Sequence, residues 1–550
     1  MRFLTGLRSL CVFVVSIFFS QMVLANSPSS HFDLSHWSLK EKVGQLLFIG
    51  FRDFKQIEDI KPGGVILYKW NLPDINQSRS LTRRIRRYSR SQLRARPMVA
   101  ADFEGGMVMR LRRGMSAFPD GAVIGASEDP NLAFKIGQAK GYELAALGIN
   151  TNLAPVLDIG NAMSFLANRI WGQDPKVVAD MTSHYIKGLL SAGIYPVAKH
   201  FPGHGSSPVD SHFDLPLQNK KLDQLWREDL KPFQKAIQEN VPALMTAHVK
   251  IPALDQRPAS LSRKIIKELL REKMGYRGLV ITDDLHMGGV ARSQNMSFEQ
   301  KALEALKAGT DMIMLAWFPE EQRKLQQYLM TAVRNGDFPE KMLNAKVRRI
   351  LASKKYHLRD VGNNPYWKGL LQRGSTEKNV QRALSKGIYW SGGNPKKTLE
   401  KLHAQWHKRW LVVLPKTSFY WKWRDFRPFD QIYTISKHVG QSRVQNIMGA
   451  ARKAIDQGRA VVFLSGPRSH SHQGYFQGIQ RELNRVEERY QSHRPLIWMH
   501  QGPVPLPLDE KKSSLKFGLI ALNSGTHQVF QRMTNFLKKT KRHKRWASAR

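Results

Sequence analysis

From Gln45 onward, short apolar runs alternate with longer amphipathic stretches. The apolar runs are Gln45–Phe51, Gly64–Tyr68, Pro97–Ala101, Asn150–Leu157, Ala192–Ala198, Ala243–Ala247, Gly278–Ile281 and Met312–Leu315. Each is too short for a buried helix and is bounded by polar or helix-breaking residues, so the pattern predicts buried strands. Between them the spacing predicts helices over about 78–90, 132–147, 177–192, 222–239, 263–274 and 298–308, with helical closure to about Lys355. Strands separated by helices lie side by side in parallel, because the chain must cross back over the sheet before it can pair again. Seven or eight such units suit a closed barrel. An open doubly wound sheet is the alternative, but it normally carries a Gly-rich dinucleotide fingerprint, and none opens these helices.

Past Arg359 the pattern turns irregular, with Gly362, Asn363, Asn364 and Pro365 and then the turn Ser391–Pro395. Beyond it, apolar runs at Leu411–Leu414, Ile432–Ile435, Ala460–Leu464, Leu496–Met499 and Phe517–Ala521 resume the alternation. The expected fold is therefore α/β: a (β/α)8 TIM-like barrel over 26–358, a linker over 359–405, and a smaller α/β sandwich domain over 406–537. Residues 538–550 form a basic tail. The polar residues fit the barrel, since Asp102, Asp158, Lys199, His200, His248 and Asp283 fall at predicted strand C-termini, the rim on which barrel enzymes build their sites.

Composition changes this picture in two ways. The 550 residues are 42% hydrophobic, enough for sizeable cores, but the formal net charge is +42, which implies polyanionic company. Arg2 and Arg8 precede an apolar run from Leu10 to Phe19, and Val23-Leu24-Ala25 offers a cleavage site, so residues 1–25 read as a secretory signal peptide. Export argues against nucleic acid as the partner and for an anionic envelope, met through the basic surface and tail. The only cysteine, Cys11, lies in the leader, which leaves the mature chain without a disulfide or a thiol nucleophile.

The densest chemistry lies in Lys199–His212, KHFPGHGSSPVDSH, a loop too rich in Pro and Gly to be helix or strand. Asp210 stands two residues before His212, a spacing that lets a carboxylate accept the imidazole Nδ1–H and prepare the ring for proton transfer. A second segment, Ile281-Thr282-Asp283-Asp284-Leu285-His286-Met287, sets a carboxylate at a strand end. A third is Asp102-Phe103-Glu104-Gly105-Gly106-Met107-Val108-Met109-Arg110.

Together these segments resemble the bacterial beta-N-acetylglucosaminidases of glycoside hydrolase family 3, over roughly Leu39 to Lys355. The resemblance implies the same barrel, with Asp283 as the attacking carboxylate, His212 as acid/base and Asp210 as its orienting partner. It also implies that Asp102, Arg110, Arg169, Lys199 and His200 grip the sugar. Two departures are visible: Met107 replaces the usual Arg, and Ser206-Ser207 stand where the family often has an acidic residue and Thr. His248 reads equally as structural or binding. His200, His204 and His212 do not share a helix face as zinc-protease ligands do, so no metal and no cofactor is expected. His470 and His472 read as surface residues.

The activity so implied is retaining hydrolysis of terminal non-reducing beta-N-acetylglucosamine from saccharides or muropeptides, outside the cytoplasm. Its rivals are a glycosidase or phosphorylase of another sugar specificity, and a non-catalytic basic wall-binding protein.

Overall fold

The computed structural model describes residues 32–106, 108–160, 164, 166, 169–207, 209, 211, 214–291, 295–371 and 374–386, and four strands beyond them. Eight strands close the barrel: β1 (Leu47–Gly50), β2 (Gly64–Ile66), β3 (Met98–Ala101), β4 (Thr151–Asn152), β5 (Tyr195–Phe201), β6 (Ala243–Thr246), β7 (Leu279–Asp284) and β8 (Met312–Leu315). Each pairs in parallel with its sequence neighbours, and β1 closes the ring against β8. All eight predicted runs become barrel strands. The run at Asn150–Leu157 shrinks to Thr151–Asn152, followed by a single bridge from Val156 to Lys199, since Pro155 has no N–H for the ladder.

The helices form because their ends are capped and one face of each is apolar. Ser38 and Glu41 make a reciprocal capping box for Leu39–Gln45, and Asp129 and Asp174 cap Pro130–Leu147 and Pro175–Ser191. The helix predicted over 222–239 is two helices, Leu222–Arg227 and Leu230–Gln238. Between them Asp229, fully buried, turns inward to accept from Lys220 Nζ at 2.6 Å. Within 359–405, expected as linker, lies the helix Gly374–Lys386, whose Val380 and Ala383 join the barrel's apolar cluster. At the lower end of the barrel, buried Asp311 accepts from Arg271 at 2.6 Å, Arg349 at 2.5 Å and the Val280 amide at 2.9 Å.

Two strands carry register shifts at the barrel mouth. On β5, Lys199 faces Met245 of β6 while Phe201 already faces Thr246, so His200 is an extra residue. On β7, Ile281 faces Met312 of β8 and Asp284 faces Met314, again one residue too many. Alternate residues of a regular strand point to opposite faces, and a bulge breaks that alternation. Beyond the barrel, β9 (Trp410–Pro415), β10 (Phe429–Ile435), β11 (Val461–Ser465) and β12 (Leu496–His500) form a parallel sheet in the order β10-β9-β11-β12. The run at 517–521, residues 1–25 expected as a leader, His470, His472 and the basic tail lie outside the described residues.

Candidate active site

The site begins with the turn after β3. Gly105 has φ of 124°, and a Cβ there would lie 2.0 Å from the Pro119 carbonyl oxygen, so only glycine lets the chain fold back here. The turn directs both Asp102 and Glu104 to the barrel mouth, where they are 8% and 7% exposed. Lys140, wholly buried on the helix Pro130–Leu147, donates to the Glu104 carbonyl at 2.6 Å. Burial pushes its ammonium down to about 7, against the opposing pull of Glu104.

Lys199 links the two carboxylates. Its Nζ lies 2.7 Å from Glu104 Oε1 and 3.1 Å from Asp102 Oδ1. Arg110 donates to the other Asp102 oxygen. Arg169 grips Glu104 with both arms of its fork, Nε to Oε2 and Nη2 to Oε1, each at 2.8 Å. Burial alone would raise both carboxyl groups, but Lys199 and Arg110 hold Asp102 well below the carboxylate range, and Arg169 and Lys199 hold Glu104 down to about 2. Three cations thus hold both carboxylates ionised at the mouth, where Asp158 and Asp283 add two more acidic groups around His200.

His200 is set by Asp158, which has no exposed surface. Asp158 Oδ2 accepts from the His200 amide at 3.1 Å and pairs with its Nδ1 at 2.6 Å, while Oδ1 accepts the His204 amide at 2.7 Å. With Nδ1 engaged, Nε2 faces the pocket, 3.4 Å from Arg169 Nη2 and 4.0 Å from Asp283 Oδ2. The β5 bulge is what allows Lys199 and His200, adjacent in sequence, to serve the same mouth.

On β7, Asp283 and Asp284 have different surroundings. Asp283 keeps its side chain 21% exposed to the pocket. Burial would raise its carboxyl, but His200, His248 and Lys199 keep it below the usual value, ionised as an attacking group must be. Asp284 is tied into the frame: Oδ1 accepts the His286 amide at 3.0 Å and Oδ2 accepts the Ala316 amide at 3.2 Å. His286 also pairs with Glu321. His248 lies beneath, with Nδ1 2.8 Å from Ser260 Oγ and Nε2 3.0 Å from the Asp284 carbonyl oxygen. That geometry makes His248 a support for the Asp283–Asp284 backbone rather than a ligand in the pocket.

On the rim beside Arg110 lie three packed rings. Tyr68 stacks on Trp70 at 4.8 Å and on Trp317 at 5.1 Å between centroids, and Trp70 and Trp317 are 45% and 39% exposed. The Arg110 guanidinium sits over Tyr68 at 5.4 Å.

The structure thus brings together Asp102, Arg110, Arg169, Lys199, His200 and Asp283. Asp210, His212 and Met107 lie outside the described residues. Sequence reasoning assigned no role to Glu104, to Asp158 beyond its strand-end position, or to the aromatic rim. Glu104 lies within the Asp102–Arg110 motif, and its signal is an acidic residue two positions beyond Asp102. Among the described residues, no group of three His, Cys, Asp or Glu side chains is placed to share a metal ion.

A closed parallel barrel with a buried cluster of acids, bases and cations at the C-terminal ends of β3, β5 and β7 is an enzyme barrel. The chain belongs to glycosyl hydrolase family 3: residues 38–353 match the family described as "Glycosyl hydrolase family 3 N terminal domain". A beta-hexosaminidase of Thioalkalivibrio sulfidiphilus is 32% identical over 314 residues, 56% of this chain and 87% of the relative. One of Alkalilimnicola ehrlichii is 37% identical over 265 residues, 47% of this chain and 74% of the relative. A glycoside hydrolase family 3 beta-N-acetylglucosaminidase from Paenibacillus sp. str. FPU-7 superposes with a TM-score of 0.72 at 28% identity, over 88% of this chain and 94% of that one.

Proposed function

We propose that this protein is an exported beta-N-acetylhexosaminidase that removes terminal non-reducing beta-N-acetylglucosamine, with retention, from peptidoglycan-derived fragments. The observation that carries the hydrolase reading is the meeting of an ionised, pocket-facing Asp283 with the Asp102–Lys199–Glu104–Arg169–His200 cluster. Retaining hydrolysis needs a carboxylate to attack the anomeric carbon and a second group to manage protons. Asp283 attacks, forming the glycosyl ester as the bond to the leaving oxygen breaks. His212, oriented by Asp210, gives that oxygen its proton and then takes one from the water that cleaves the ester. Asp102, Arg110, Arg169, Lys199 and His200 hold the sugar hydroxyls and acetamido group. The net charge of +42 suits an anionic muropeptide. The tail 538–550 holds the enzyme near an anionic envelope.

The test is turnover of a chromogenic beta-N-acetylglucosaminide by the mature chain starting at Asn26, beside the matching glucoside with and without phosphate. Preferred turnover of the N-acetylglucosaminide, independent of phosphate, is expected. Preference for the glucoside, or a requirement for phosphate, would transfer the protein to another glycosidase or to a phosphorylase. With a slow fluorinated substrate, mass spectrometry should find the label on Asp283, and a label on Asp284 would overturn the assignment of the attacking group.

A further inference from the structure

The helix Ile75–Gln92 carries Arg79, Arg83, Arg86, Arg87 and Arg90, at steps that return them to one face. With the segment 362–365 and Trp367, that face lines a cavity of about 680 Å³, and none of the residues assigned to sugar binding or catalysis borders it. The charge there is poorly compensated. Arg90 pairs with Asp360, which also serves Arg96 at 3.2 Å. Among the described residues no carboxylate forms an ion pair with Arg79, Arg83, Arg86 or Arg87. Arg86 reaches only a carbonyl, that of Val361 at 2.8 Å.

Arg79 is the anchor. It is 6% exposed, its guanidinium lies 4.5 Å above the Trp367 ring, and Nη1 donates to the Ala146 carbonyl at 2.5 Å. Its buried Nε has no hydrogen-bond partner. Nη2 also reaches the Asn364 carbonyl at 3.5 Å, so Arg79 is fixed in the wall of the cavity, and the crowding of Arg79, Arg83, Arg86 and Arg87 there is repulsive unless an anion in the cavity offsets it. Burial first, and then Arg83 and Arg86, depress the Arg79 pKa, as expected where positive charge is crowded without counter-charge.

We infer that this groove binds a multiply charged phosphate group. Phosphate oxygens accept from several planar guanidinium forks at once, whereas a single carboxylate saturates one fork. Two sources share that chemistry, a soluble pyrophosphate-type anion and the phosphomonoester headgroup of a lipid.

Calorimetric titration of the mature chain starting at Asn26 with inorganic pyrophosphate at low salt tests the groove, and co-sedimentation with phosphatidate-containing vesicles, against phosphatidylcholine alone, tests the lipid source. Arg83 and Arg87 are exposed, so Arg83→Ala/Arg87→Ala should fold and should lose pyrophosphate or phosphatidate binding at least tenfold. Lys267→Ala/Lys273→Ala, which removes the same charge elsewhere, should lose less than twofold, and glycosidase turnover should be unchanged in both. Binding of pyrophosphate alone assigns a soluble ligand, and phosphatidate binding that Arg83→Ala/Arg87→Ala loses assigns a lipid, whereas phosphatidate binding equal in that variant and the parent belongs to the basic tail and overturns the lipid source. Equal losses in the two double variants would overturn the proposal in favour of diffuse charge attraction. So would binding of neither probe, or binding of a single-stranded oligonucleotide but neither probe.

Discussion

Lys199 Nζ lies 2.7 Å from Glu104 Oε1, with both side chains buried and the same ammonium shared with Asp102. This shared cation lies between two carboxylates that would otherwise repel one another at the mouth of the barrel, with Arg110 and Arg169 on their far sides. Removing one partner of a buried pair leaves an uncompensated charge, a loss on the order of 3–5 kcal/mol. Lys199→Met should lower the unfolding free energy by about that amount, read from urea midpoints. Activity should fall with it, because Asp102 and Glu104 would no longer share a cation. A variant as stable as the wild type would show that Arg110 and Arg169 suffice.

The same pairing sets an acid limit to stability. Glu104 is held at about 2 against an ordinary 4.5, and Asp102 is displaced in the same direction from 3.8. The unfolded chain thus binds protons that the folded chain refuses. The stabilisation from Glu104 is complete above about 4.5 and is lost as pH falls toward about 2. Glu104→Gln should be less stable at neutral pH but should lose less stability between about pH 5 and about pH 3. Parallel urea midpoints for the two proteins across that window would remove Glu104 from the explanation.

Asp158 accepts three donors and holds the His200 ring with Nε2 toward Asp283. Asparagine has one acceptor oxygen, and its amide would face an N–H group. Asp158→Asn should therefore cost about 1–3 kcal/mol of stability. Beyond that, kcat should fall at least tenfold with KM little changed, because the ring is misaligned rather than removed. A merely structural role would leave kcat per folded molecule unchanged, and that ratio decides the matter.

Trp70 and Trp317 offer exposed ring faces next to the site, and sugar rings present C–H faces that pack on such surfaces. If the leaving part of the substrate rests there, Trp317→Ala should raise KM for an N-acetylglucosamine disaccharide about fivefold, the equivalent of about 1 kcal/mol. KM for a small aryl glycoside that does not reach the rim should hardly move. Equal effects on both substrates would place the ring in support of the pocket instead.

The range of each interaction decides how much of the fold and site is legible in the chain. The eight strands can be read because a strand buried on both faces needs a continuous apolar run, and that is a local property of the chain. Asp102, Lys199, His200 and Asp283 can be read as site residues because strand-end positions and short motifs are local as well. The break near Glu228 is hidden, since the burial of Asp229 against Lys220 depends on how the surrounding loop packs. The helix Gly374–Lys386 is hidden by the turn-rich residues before it, and it forms where Val380 and Ala383 find the barrel surface.

By itself, the sequence determined the repeating strand–helix order and the clustering of titratable residues at strand ends, because periodicity and burial act along the chain. Tertiary structure alone decided the partners. Lys199 meets Glu104 across 95 positions and His200 meets Asp158 across 42, pairings that no local pattern encodes. It also decided direction. Regular alternation would send neighbouring residues to opposite faces; the register shift on β5 lets Lys199 and His200 both serve the mouth, and beside the one on β7 Asp283 faces the pocket while Asp284 turns into the frame. Those bulges arise from how each strand must pair with its neighbours, a constraint that exists only once the ring has closed.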